Sequence, residues 1–228
     1  MNKRCRVKFC GMRDNPTIAF GVDIGADYLG FVIDFPKSPR SISIEEFKRK
    51  SKWLRNNHDG NYKIVAVTVD MPLNNLEFII ESGMADVIQL HGNEHISICR
   101  LVSEQIETWK AINVKGGMSI EEISTFGKSV NKLLLDSGSA LEKAKNTSGA
   151  FDNTELYREL RKQHFDIVLS GGLDITNIEH YLEVLNPAII DVSRGVESAP
   201  GVKAKQKMME FMNTVNRFYS DERTDEEE

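Results

Sequence analysis

The stretch Phe165-Asp166-Ile167-Val168-Leu169-Ser170-Gly171-Gly172-Leu173, followed by Thr176 to Leu185 and then by Ile189-Ile190-Asp191-Val192-Ser193-Arg194-Gly195, decides the fold. It reads as an apolar strand ending in a glycine turn, a helix, and a second apolar strand ending in another glycine-containing turn. Working outward, the same unit recurs. Strands are predicted at Arg6 to Cys10, Ala26 to Val32, Ile64 to Val69, Val87 to Leu90, Thr108 to Ile112 and Lys132 to Leu135. Helical patterns lie between and after them at Asn15 to Gly21, Ser41 to Asn57, Leu73 to Ser82, Ile96 to Gln105, Ser119 to Gly127, Thr154 to Gln163 and Lys203 to Phe218. Gly25-Ala26-Asp27 and Gly83-Met84-Ala85-Asp86 echo one another, each placing a glycine where a helix ends before the next strand. Eight units of roughly 27 residues suit a single α/β domain over 1–220, a compact (β/α)₈ TIM barrel. A doubly wound open sheet is the alternative. Both architectures put a ligand at the C-terminal ends of the strands, so those ends are where chemistry is sought.

Of the 228 residues, 29 are Lys or Arg and 34 are Asp or Glu. The segment Asp221 to Glu228 alone carries the formal net charge of −5, and is expected to be a disordered, solvating acidic tail. The remaining body is near neutral. It lacks the long-range field that gathers a polyphosphate chain, which argues against nucleic acid and leaves room for a small anionic ligand held locally. Three cysteines without regular spacing, Cys5, Cys10 and Cys99, argue against a disulfide framework and for a reducing compartment. No apolar run approaches a membrane span, and Arg6 and Lys8 interrupt what would be the apolar part of a signal peptide. A soluble cytoplasmic protein is expected.

Alternation along the first strand turns Cys10, Lys8 and Arg6 to one face and Val7 and Phe9 to the other. In a barrel Cys10 then points inward at the mouth, where it is either a buried inert thiol or a proton acceptor. Asp136, directly after Leu133-Leu134-Leu135, is either a turn cap before Ser137-Gly138-Ser139 or a carboxyl placed to donate a proton. The loops Ser170-Gly171-Gly172 and Ser193-Arg194-Gly195 are either ordinary tight turns or the paired last loops through which barrels hold phosphate on backbone N–H groups. His91-Gly92-Asn93-Glu94-His95 spaces two histidines as a helical metal site would, but Gly92 and Asn93 interrupt the helix and no metal is expected. Neither nucleotide-binding fingerprint is present. Arg40 is either a solvated charge or a carboxylate clamp.

The stretches Val7-Lys8-Phe9-Cys10-Gly11-Met12, Gly25-Ala26-Asp27-Tyr28-Leu29-Gly30-Phe31-Val32, Pro36-Lys37-Ser38-Pro39-Arg40, Gln89-Leu90-His91-Gly92, Leu134-Leu135-Asp136-Ser137, Ser170-Gly171-Gly172-Leu173 and Asp191-Val192-Ser193-Arg194-Gly195-Val196-Glu197 resemble, in order and over nearly the whole chain, the motifs of the phosphoribosylanthranilate isomerase family. The resemblance implies a (β/α)₈ barrel that performs an Amadori rearrangement in tryptophan biosynthesis without a cofactor. It implies Asp136 as general acid on the ribose ring oxygen and Cys10 as general base at C2′. It further implies Arg40 at the anthranilate carboxylate, Gln89 and His91 lining the pocket, and Asp191 in a supporting role near the substrate. Gly171, Gly172, Ser193, Arg194 and Gly195 would surround the phosphate. The expected partner is thus a small anionic phosphosugar, and the chain a monomer or homodimer. The related aldose-ketose isomerase of histidine synthesis is disfavoured because its family resembles a pair of aspartates where this chain has Cys10 and Asp136. A phosphate-binding barrel without catalysis is the third reading. Two departures stand out: Arg194 replaces a small residue, and Lys145-Asn146-Thr147-Ser148-Gly149-Ala150-Phe151-Asp152 is poorer in glycine than the family's sixth loop.

Overall fold

The structure is a computed structural model that describes residues 4–115, 117–137 and 154–225, with side chains to residue 220. Eight strands form the barrel: β1 (Arg6–Cys10), β2 (Tyr28–Ile33), β3 (Lys63–Thr68), β4 (Val87–Leu90), β5 (Glu107–Asn113), β6 (Lys132–Asp136), β7 (Ile167–Ser170) and β8 (Ile189–Val192). Every neighbouring pair is parallel. β1 pairs with β2 on one side (Lys8 beside Tyr28) and with β8 on the other (Val7 beside Ile190), so the sheet closes on itself. Closure leaves no open edge and excludes the doubly wound alternative.

The helices are α1 (Asn15–Asp23), α2 (Ile44–Asn57), α3 (Leu73–Glu81), α4 (Ile96–Ser103), α5 (Ile120–Gly127), α6 (Thr154–Lys162), α7 (Ile178–Leu185) and α8 (Lys205–Asp225). Among the described residues, no helix is long and apolar enough to cross a membrane. α2 starts later than its apolar pattern suggests, because Ser41–Ile42 adds a short strand to β2 and Ser43 caps the helix from its side chain. α7 likewise starts at Ile178, since Asp174 accepts from both the backbone N–H and the hydroxyl of Thr176. α8 begins only after an antiparallel ribbon of Glu197–Ala199 and Val202–Lys203, and its backbone continues to Asp225, into the stretch set apart as an acidic tail. Residues 226–228 and the divergent loop 145–152 lie outside the described residues.

The Gly-Asp echo has a physical basis. Gly25 and Gly83 have φ of +84° and +63° and end α1 and α3 by donating to Val22 O and Ile80 O. The aspartate that follows then caps the preceding strand: Asp27 Oδ2 accepts from Val7 N at 2.8 Å and Asp86 Oδ2 from Ile64 N at 2.7 Å. Alternation along the strands sorts their side chains into two cores. Val7, Phe9, Ile64, Ala66, Ile88 and Leu133 face the helices, while Val65, Val67, Val87, Trp109, Leu134 and Ile189 fill the barrel. Trp109 and Tyr28 meet edge to face at 5.0 Å and plug the barrel near the strand starts. Among the described residues, the opposite, C-terminal end is open for a site.

Candidate active site

A cavity of about 380 Å³ opens among the C-terminal strand ends. Cys10, from the last position of β1, and Asp136, from the last position of β6, both face it. So do His91, Arg40 and Asp191, and on another side Gly171, Gly172, Ser193 and Arg194. Two sequence-predicted residues do not line it. Gln89 is fully buried one inward position below His91, and Gly195 packs against Leu173 O and Asp174 where a Cβ would have no room. The cavity also has an apolar wall of Val32, Phe35, Val67 and Val69, which the motif reading did not single out. Only Phe35, beside the Pro36-Lys37-Ser38-Pro39-Arg40 loop, carried a signal: a large apolar residue just past a strand end.

The placement of Asp136 depends on Gly171. That glycine sits at φ +94°, and a Cβ there would strike the backbone N and hydroxyl of Ser137 and come within 2.9 Å of Asp136 Oδ1. Ser137 in turn donates its hydroxyl to Gly171 O at 2.9 Å, so the β6 and β7 ends are stitched together. His91 Nε2 lies 3.3 Å from Asp136 Oδ2.

Around Cys10 the barrel interior is charged. Lys8 is wholly buried, and its Nζ donates to Asp191 Oδ1 at 2.9 Å. An ammonium inside a barrel needs such a partner, and its inward position followed from its alternation with Cys10. Burial pushes the Cys10 thiol up, Lys8 and Lys203 pull it down, Asp191 pushes it up, and the balance is upward. Burial also pulls Lys8 down, but Asp191 and Cys10 outweigh it and the net direction is up.

Arg40 presents its Nε and a terminal nitrogen to Glu197 at 2.7 and 2.6 Å, a bidentate pair bridging the loop after β2 and the ribbon after β8. Lys203 Nζ joins Glu197 at 2.9 Å and Ser193 O at 2.9 Å. The Ser193 hydroxyl gives its one proton to Cys10 O at 3.0 Å, tying the eighth loop to the end of β1. The Arg40–Glu197–Lys203 cluster joins residues 157 positions apart, and neither Glu197 nor Lys203 was foreseen as its centre.

That cluster makes a testable statement about pH. Burial raises the Glu197 carboxyl, but hydrogen bonds from Arg40 and Lys203 outweigh it and hold the group below its ordinary range. A depressed carboxylate stabilises the fold above its unfolded pKa and loses that contribution as pH falls through the folded value. The urea midpoint of the wild type should therefore drop between pH 5 and pH 3 by more than that of Glu197→Gln. Parallel curves would remove Glu197 from the acid sensitivity.

Among the described residues, no group of three or more His, Cys, Asp and Glu is arranged to hold a metal. His91 and His95 diverge: the first faces Asp136, while His95 Nδ1 caps α4 by accepting from Ser97 N.

Comparison with known proteins bears on the whole chain. The family model for N-(5'phosphoribosyl)anthranilate (PRA) isomerase matches residues 7–214. An N-(5'-phosphoribosyl)anthranilate isomerase of Rhizobium meliloti is 36% identical over 222 residues, covering 94% of this chain and 98% of the relative. The chain belongs to the phosphoribosylanthranilate isomerase family. Solved phosphoribosylanthranilate isomerases share its architecture. The Thermotoga maritima enzyme superposes with a TM-score of 0.80 at 30% identity, covering 93% of this chain and 98% of that one. Another, solved in complex with reduced 1-(o-carboxyphenylamino)-1-deoxyribulose 5-phosphate, gives 0.75 at 30% identity over the same shares. The family's barrel therefore runs through all eight strands described above.

Proposed function

We propose that this chain catalyses the Amadori rearrangement of N-(5-phosphoribosyl)anthranilate to 1-(2-carboxyphenylamino)-1-deoxyribulose 5-phosphate, a step of tryptophan biosynthesis. The observation that carries the reading is the convergence of Cys10 and Asp136, from β1 and β6, on one cavity with a glycine-lined side and an apolar wall. Asp136 gives its proton to the ribose ring oxygen; the C1′–O bond breaks and an iminium forms. Cys10 takes the C2′ proton, leaving an enolamine that tautomerises to the ketone. Oxidation at C2′ balances reduction at C1′ within one molecule, so neither metal nor redox cofactor is called for.

Each part of the substrate has a counterpart. The backbone of Gly171 and Gly172, together with Arg194, would take the phosphate. Because the Ser193 hydroxyl already donates to Cys10 O, it contributes to that loop's shape rather than a phosphate bond. Gly195 likewise acts as a spacer behind the loop. Val32, Phe35, Val67 and Val69 suit the aromatic ring. Arg40 would meet the anthranilate carboxylate with the guanidinium edge outside its pair with Glu197. Asp191 acts through Lys8, to which it is paired. Three buried free cysteines suit the reducing cytoplasm, where we place the protein.

The test is turnover. Purified protein given freshly prepared phosphoribosylanthranilate should abolish its anthranilate-type fluorescence, and should discriminate against the aminoimidazole carboxamide substrate of the histidine-synthesis isomerase. Preference for the imidazole substrate would replace the reading. Product binding without turnover of either would leave a phosphate-binding barrel without catalysis.

A further inference from the structure

Three polar groups, from β4, the residue just after it and the end of β6, form a line that ends on the carboxyl of Asp136. Gln89 Nε2 lies 2.8 Å from His91 Nδ1, and His91 Nε2 lies 3.3 Å from Asp136 Oδ2. Val87, Gln89 and His91 alternate onto the inward face, which puts the glutamine directly beneath the imidazole. Gln89 is fully buried, does not line the cavity, and leaves its Oε1 buried without a hydrogen-bond partner among the described residues. A polar side chain sealed inside the barrel, with half its hydrogen-bonding capacity unused, is costly to keep. Among the described residues, its side-chain hydrogen-bond partner is the histidine ring.

With the amide nitrogen turned toward the ring, that contact sets the state of the ring. An amide nitrogen has two hydrogens to give and accepts none, so the Nδ1 that faces it must be bare. A ring with a bare Nδ1 is neutral and carries its proton on Nε2, the nitrogen aimed at Asp136. An amide turned the other way would put Oε1 against a protonated Nδ1. Nε2 would then either present a lone pair to a carboxyl oxygen or hold a second proton and become part of an ion pair. The difference matters to an acid. A cationic imidazole holds its partner as a carboxylate, whereas a neutral N–H grips one carboxyl oxygen and leaves the proton available on the other. Among the described residues beside the ring, Lys110 and Asp70 are committed elsewhere. Lys110 is held by Glu94 at 2.8 Å and Gly92 O at 2.6 Å, and Asp70 accepts from Asn93 N at 2.6 Å.

We infer that Gln89 is a positioning residue: it fixes His91 as the neutral Nε2–H imidazole, and His91 in that form orients the Asp136 carboxyl for proton donation without pairing it off as an ion. This rests on Asp136 being the acid of the proposed reaction. The sequence motif grouped Gln89 with the pocket; the geometry puts it one step further back.

The test is histidine-selective ¹⁵N NMR on the full chain, with the His91 signals identified by their loss in His91→Asn. The wild type at neutral pH should show an unprotonated Nδ1 and a protonated Nε2. Gln89→Met, similar in size, should give a mixture of tautomers and lower kcat by about tenfold while KM stays within about twofold. Gln89→Glu, which accepts from Nδ1, should drive the ring to imidazolium and lower kcat further. A wild-type ring that is imidazolium or Nδ1-protonated overturns the inference without any variant having to fold. So does Gln89→Met with unchanged ring signals and kcat. Should Asp136→Asn turn over normally, the acid assignment fails instead, whatever the tautomer.

Discussion

Cys10→Ala and Asp136→Asn are each expected to lower kcat by about 10² to 10⁴-fold, the usual contribution of a general base or acid, with KM and the urea midpoint close to wild type. Both substitutions are small. The first removes one sulfur at the mouth of the barrel, and the second keeps the shape of the carboxyl and an oxygen to accept from His91. Neither disturbs the Gly171–Ser137 stitch or the Lys8–Asp191 pair. The two residues serve consecutive steps, ring opening and C2′ deprotonation, so each single variant already stalls the sequence. The double variant should therefore lose much less than the product of the two single losses. Rates measured under saturating substrate and in single turnover would check this. Near-wild-type kcat in either single variant would remove that residue from the mechanism, and losses that multiply would mean the two groups act independently.

The sequence made the barrel legible because its strands are short apolar runs, most of them closed by glycine, aspartate or serine. Arg6–Cys10, Val87–Leu90 and Ile189–Val192 were read to the residue. Boundaries failed where tertiary pairing competed with helical pattern. Ser41 and Ile42 pair with Val32 and Ile33, the end of β2 that runs past its register with β1, and Lys203 pairs with Glu197 in a ribbon. Cys10 and Asp136 were visible as polar residues at the ends of apolar strands. The partners of Arg40 were not, since a bidentate pair over 157 positions leaves no local periodicity. Gln89 illustrates a third kind of limit. The motif placed it with His91 at the pocket, but how deep an inward residue sits depends on where its strand ends, and β4 stops one residue before His91.

Lys8→Met is expected to destabilise the fold by about 3–5 kcal/mol, because it strands the Asp191 carboxylate inside the barrel. The pair is shut away from solvent, with side-chain exposures of 0% and 5%, so water cannot take over the lysine's role. Removing the partner as well should reverse the loss: Lys8→Met with Asp191→Leu exchanges an ion pair for apolar volume and should return the urea midpoint to wild type or above. The thiol should not recover with it. Lys8 pulls Cys10 down more strongly than Asp191 pushes it up, so losing both leaves burial less opposed than before. Alkylation of Cys10 as a function of pH, followed peptide by peptide to separate it from buried Cys5 and Cys99, should thus shift to higher pH in the single variant. It should stay above the wild-type curve in the double. Asp191→Asn, which removes only the upward push, should move the curve the other way. A double variant that is stable but retains wild-type alkylation would reduce Lys8 to a filler of the barrel. The expected outcome separates its two duties, since the ion pair then keeps a charge buried while that charge's position beside Sγ makes the thiolate accessible to the base step.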